Sequence, residues 1–162
     1  MVSKVTYELN LSKELRDVPR EKREDVKEEI GKYLVEQILQ DVSKTKSPVY
    51  GTSFKGLSTE YKNKKKKLSS SAIANLELHG DMLNALEYKT TRDKIEVGIF
   101  DYDQAQKADN HCKFSGKSKK KKSNGEYVVP ERKFIPNRKE GDEFRPLIIR
   151  EINKIIEESR DG

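Results

Sequence analysis

Between Val26 and Val42 the chain places Val26, Ile30, Tyr33, Leu34, Gln37, Ile38 and Val42 at three- and four-residue spacing. That period collects them on one side of a helix, so the sequence predicts a long amphipathic helix over residues 20–42. Pro19 suits its first turn, and Glu21, Glu24 and Asp25 complement the positive end of its dipole. Gly31 is expected to weaken it by about 1 kcal/mol relative to alanine. A helix of this length with one apolar side has to lie on another layer, and that requirement limits what the rest of the chain can be.

The second layer is written in period two. Val5, Tyr7, Leu9 and Leu11 alternate with Thr6, Glu8 and Asn10, and Ile95, Val97 and Ile99 alternate with Lys94, Glu96 and Gly98. Each run reads as a strand with one buried face. Residues 87–91 read as a further strand joined through an Arg92-Asp93 turn, and residues 127–135 as an extended segment bracketed by Pro130 and Pro136. A last helix carries Phe144, Leu147, Ile148, Ile152, Ile155 and Ile156 as its apolar stripe. Asp142 is its expected cap, with Pro146 tolerated in or near the first turn. Short helices are expected around Tyr61 with Ser58 as cap, after Asp81, and over residues 104–110. The fold class is α+β: an antiparallel sheet of about four strands packed against a long N-terminal helix and a C-terminal helix, in one domain over residues 1–162.

Composition sharpens this picture. Only 33% of the 162 residues are hydrophobic and 38% are charged, so the core is thin and separated by long polar excursions. Such a core can also be completed by neighbouring subunits. The net charge of +6 is concentrated in a basic loop at residues 62–71 and a basic flap at residues 115–126, where Asn124-Gly125 signals a hairpin. Cys112 is the only cysteine, which excludes an intramolecular disulfide and fits a reducing compartment. No apolar h-region follows Lys4 and no run is long enough to span a bilayer, so neither a signal peptide nor a membrane contact is expected.

Chemistry-bearing residues are few. Asp101, Asp103, Asp109, His111 and Cys112 form the one local set of metal-type ligands, but their spacing fits neither a zinc site nor an EF-hand loop. Solvated loop carboxylates and a packed histidine account for them, and a metal-dependent nuclease is the alternative. No phosphate-cradling glycine pattern occurs, so no nucleotide or other cofactor is expected. Lys64, Lys65, Lys66 and Lys67, with Lys62 nearby, and Lys119, Lys120, Lys121 and Lys122 suit phosphate contact or docking on an acidic protein. Tyr61 and Phe114 lie near these runs and not among them, so the aromatic interleaving of a single-strand binder is missing.

Read in order, the chain resembles the tail-completion and head–tail joining proteins of tailed phages, a group also labelled virion morphogenesis or minor tail proteins. The resemblance runs through "VTYELNLSKEL" and the long helix, then Gly56, Leu57, Ser58, Tyr61 and Lys65. It continues through "HGDMLNAL" with Gly80 and Leu83, the strand ending Val97-Gly98, and "AQKADNH" ending at His111. It closes on "VPERKFIP", with Pro130, Arg132 and Phe134, and the helix after it. Phe54 stands where a bulky residue precedes "LS", the glycine after His111 is displaced to Gly116, and the flap is long and basic.

The resemblance implies a non-enzymatic structural protein of the virion, made in the host cytoplasm. It implies a ring at the neck or top of the tail that contacts tail-tube and head–tail connector proteins. Arg132 and Phe134 become candidate partner-binding residues beside the two lysine runs. As a strand, residues 132–134 would set Arg132 and Phe134 on one face and Lys133 on the other.

Overall fold

Strand β1 (Val5–Asn10) and strand β2 (Leu86–Thr90) flank strand β3 (Lys94–Ile99) in an antiparallel sheet of order β1-β3-β2. The computed structural model describes residues 3–50, 52–54, 81–113, 132–137 and 140–161, with the side chains of 142, 143, 160 and 161 excepted. The register sets Val5, Tyr7 and Leu9 beside Ile99, Val97 and Ile95. Leu86, Tyr88 and Thr90 flank the same three residues from the other side. Side chains alternate across a pleated sheet, so these positions share one face. The opposite face carries Thr6, Glu8, Asn10, Glu87, Lys89, Lys94 and Glu96.

Helix α1 (Arg20–Ser43) lies along the apolar face over β2 and β3, burying Val26, Ile30, Leu34, Ile38 and Val42. Glu24 and Glu28 on its flank accept hydrogen bonds from Thr90 Oγ1 and the Tyr88 hydroxyl. Helix α2 (Asp81–Asn84) leads into β2, and helix α3 (Tyr102–Cys112) follows β3. Helix α4 (Gly141–Asp161) runs antiparallel to α1, as the Lys22 Nζ bond to the Ser159 carbonyl shows. It sits against β1 through a T-shaped Tyr7–Phe144 contact with centroids 5.1 Å apart. The layering is the α+β arrangement expected, with both long helices on one face of the sheet.

Several details differ from the sequence reading. Three strands, not about four, form the sheet among the described residues. Of the expected last strand, residues 127–131 lie outside the described residues and 132–135 join no ladder. The Arg132 N–H is bonded instead to the His111 carbonyl at the end of α3, 2.9 Å away. Helix α4 is capped upstream of Asp142, which lies inside it. Asn137 and Glu140 each accept the other's backbone N–H, at 2.9 and 3.0 Å, in a capping box. Pro146 is the sixth residue of the helix, so the carbonyl of residue 142 loses its helical donor. Leu147, expected in the stripe, is 58% exposed because it lies on the outer flank of α4. Pro19 precedes α1 at the N-cap position with extended ψ. Helix α3 is longer than residues 104–110, because Asp101 caps it by accepting the Gln104 N–H at 3.0 Å. The expected helix at Ser58–Tyr61 lies outside the described residues.

Two glycines set how closely layers approach. At Gly31 a Cβ would sit 2.4 Å from the Tyr88 ring, so the ring crosses α1 where no side chain fits. At Gly98, with φ of 154°, a Cβ would sit 2.2 Å from the Val5 carbonyl. Helix propensity alone makes Gly31→Ala stabilising, but the contact reverses the sign. Gly31→Ala is expected to destabilise the fold by about 1–3 kcal/mol, the usual cost of overpacking. Urea denaturation of the purified variant checks it, and a midpoint above that of the unaltered chain would refute the contact argument.

Candidate functional site

The segment 132–137, which carries the sequence-selected Arg132 and Phe134, is held between the end of α3, the turn after α1 and the start of α4. Its residues are buried in succession: Arg132 is 5% exposed, Lys133 7%, and Phe134 and Ile135 are fully covered. Alternation therefore fails here, and Lys133 does not point to solvent. An irregular segment enclosed on several sides buries every side chain, whereas a strand exposes every second one.

The buried Lys133 is paired through both its side chain and its backbone. Lys133 Nζ pairs with Glu140 Oε2 at 2.7 Å, and the Tyr50 hydroxyl donates to the same oxygen. The Ser47 hydroxyl donates to the Lys133 carbonyl at 2.5 Å and receives the Tyr50 N–H at 3.2 Å. Ser47 can reach because Lys46 and Ser53 bridge the turn and the Ser47 N–H meets the Thr52 carbonyl at 2.8 Å. Burial raises the Glu140 carboxyl. Bonds from Lys133, Tyr50 and the Asn137 N–H outweigh it and hold the group below its ordinary value. One carboxylate thus joins segment 132–137 and the start of α4 to the turn after α1, 90 residues away in sequence.

Helix α3 closes the site from the other side. Lys113 ends it in the left-handed conformation, φ 57°, with its N–H on the Asp109 carbonyl at 2.7 Å. Burial, with the Arg132 and Lys113 cations, pushes the His111 imidazole down to about 4. Its Nδ1 is enclosed and has no hydrogen-bond partner among the described residues. Burial pushes the Cys112 thiol up to about 12, against the pull of the Phe134 and Ile135 backbone N–H groups. A thiol in that state is packing and not a nucleophile at neutral pH.

The five metal-type residues do not converge. Asp101 is a helix cap, Asp103 is exposed, and Asp109 and Cys112 are buried. Among the described residues no group of three His, Cys, Asp or Glu side chains is placed to hold a metal. Lys64, Lys65, Lys66, Lys67, Lys119, Lys120, Lys121 and Lys122 lie outside the described residues. Sequence reasoning missed Ser47, Tyr50, Lys133 and Glu140. The Asn137-x-x-Glu140 spacing was a readable capping-box signal, whereas nothing local marked Ser47 or Tyr50.

The model of the phage virion morphogenesis family matches the chain over residues 6–153. No curated protein and no solved structure matches it. The matched span contains β2, β3, α1, α2, α3, segment 132–137 and most of α4.

Two outcomes follow from this geometry. Phe134→Ala is expected to cost about 3–5 kcal/mol, as for a fully enclosed phenylalanine, measured by urea denaturation. The unfolded chain protonates His111 near 6.5, the folded chain only near 4. The unfolded state therefore binds the proton first, and stability falls as pH drops from about 6.5 towards 4. The loss is about 2–3 kcal/mol. His111→Gln should flatten that interval and leave a further loss at lower pH, where Glu140 is protonated. An unchanged slope in His111→Gln would show that other groups cause it.

Proposed function

The chain belongs to the phage virion morphogenesis family, and from that premise we propose that it is a ring-forming subunit that completes the tail and joins it to the head connector. Family membership indicates a structural role in the virion. The ring, the neck position and the partners are the finer reading. The observation that carries it is the breadth of the match, residues 6–153, which takes in nearly all of the fold and not one motif.

The physical features agree with a non-enzymatic subunit. The one cysteine is sealed, and segment 132–137 is committed to packing. Among the described residues no helix is long and apolar enough to cross a membrane. In this reading the partners are further copies of the chain, a tail-tube protein and a connector or neck protein. The lysines at 64–67 and 119–122 supply the charge that meets them, with Phe134 anchoring the segment beside the flap and Arg132 at its near end. Contact of those lysines with DNA is a second reading that the two runs favour, and its mark is a steep salt dependence.

Sedimentation of the purified chain with and without tail-tube protein should reveal a closed oligomer, formed through unlike patches as rings require. Particles made without the chain should yield heads and tails that do not join, and added protein should restore joining. Arg132→Ala is expected to reduce joining. A chain that stays monomeric with tail-tube protein present, or particles that join without it, would overturn the assignment. Binding to duplex DNA that weakens steeply with salt, in a chain that leaves joining unaffected, would favour the DNA reading.

A further inference from the structure

Among the described residues strand β2 has an open edge. The Thr91 N–H donates to the Lys94 carbonyl at 2.9 Å. Hydrogen-bonded and non-hydrogen-bonded pairs alternate in an antiparallel ladder, so Lys89/Glu96 and Glu87/Gly98 are the bonded pairs with β3. The N–H and C=O of Leu86, Tyr88 and Thr90 therefore point away from the sheet. Among the described residues no backbone group bonds them. The opposite edge, at β1, is partly closed: Arg145 Nη1 donates to the Asn10 carbonyl at 3.0 Å.

An open edge of this kind accepts an extended strand. The side chains beside it state which one. Glu87 is exposed on the open face, and its cross-strand neighbour Gly98 offers no side chain. Lys89 is exposed on the same face, its Nζ laid 4.2 Å from the Phe100 ring centroid. We propose that β2 pairs with β2 of a second copy, antiparallel and centred on Tyr88, so that the two sheets become one.

In that register Leu86 faces the second copy's Thr90, Tyr88 faces its own counterpart, and Thr90 faces Leu86. These are the outward-pointing residues, so each pair exchanges two backbone bonds. Glu87 then faces Lys89, and Lys89 faces Glu87, as non-hydrogen-bonded pairs with Cα atoms about 4.5 Å apart. The run Glu-Tyr-Lys is its own complement when reversed. A slip of two residues sets Glu87 against Glu87 or Lys89 against Lys89, which is unfavourable. A slip of one turns the apolar face of one sheet to the open side of the other. The charges thus select one register. This contact joins like patches and closes after two copies, so it is distinct from the contact between unlike patches that a ring uses.

Sedimentation velocity of the full chain from micromolar to millimolar concentration should show a concentration-dependent dimer. E87K and K89E each place like charges opposite one another at both pairs and should raise the dimer Kd about tenfold or more. E87K/K89E restores both pairs in the reversed sense and should return the Kd close to that of the unaltered chain. Under mild oxidation E87C should cross-link with K89C when the two are mixed, and neither should cross-link alone, because only the mixture places two thiols at a spacing a disulfide can bridge. Cys112 is buried and does not compete. All of these positions are exposed, so the thermal melt of the folded monomer serves as the control. A strict monomer at millimolar concentration, a double variant no tighter than the single ones, or E87C linking to itself as readily as to K89C would each overturn the proposal.

Discussion

Strand β3 is the member on which the fold depends. It is the strand bonded on both sides, and its Ile95, Val97 and Ile99 are fully buried between β1 and β2 and beneath the helices. With 33% hydrophobic residues the chain can cover one face of one sheet and little more. Apolar side chains from all three strands therefore meet on the face that receives α1 and α4, and the other face is left to charge. The close approach of β1 at Gly98 belongs to the same economy of space, since any side chain there would meet the Val5 carbonyl.

A thin apolar core leaves fastening to buried polar groups. Lys27 reaches from α1 to the Thr91 and Arg92 carbonyls at 2.8 and 3.2 Å, and pairs with Glu24 at 2.9 Å. Its ammonium thus caps the hairpin that links β2 to β3. Lys133 and Glu140 do the equivalent at the far end, joining the turn after α1 to the start of α4 through Tyr50 and Ser47. The buried Lys133–Glu140 pair adds little net stability compared with an apolar replacement, but removing one partner leaves an unpaired buried charge, which costs about 3–5 kcal/mol. Together with the Lys27 bonds to the hairpin carbonyls, it allows one arrangement of the loops and penalises the others.

The strands β1 and β3 and the helix α1 were legible because each has a long, unbroken period and a core on one side only. Gly31 was read by propensity as a weak point, and its reason is the ring of Tyr88, which lies far away in sequence. Leu147 fits the helical period of α4 yet faces outward, since a stripe tells which side is apolar and not how far the neighbouring helix extends. Residues 132–135 do not form the alternating strand that the sequence predicts, because two prolines and an aromatic mark extended backbone equally well in a ladder and in an enclosed irregular segment. Arg132 and Phe134 were found through the family pattern. The partners that hold their segment, Ser47, Tyr50 and Glu140, come from two other stretches of chain and left no joint trace in the sequence beyond the Asn137–Glu140 box.

The described residues on either side of 114–131 are held close together. Lys113, buried and left-handed, ends α3 on one side, and the Arg132 N–H binds the His111 carbonyl on the other. The closure entropy of the intervening residues is thus met by the fold, and their ends are fixed whether or not a partner is present. From Arg132 the chain passes directly to Phe134 in the core and to the Lys133–Glu140 pair at the start of α4. Arg132 is thereby fixed to the end of α3 and, within a few residues, to the start of α4.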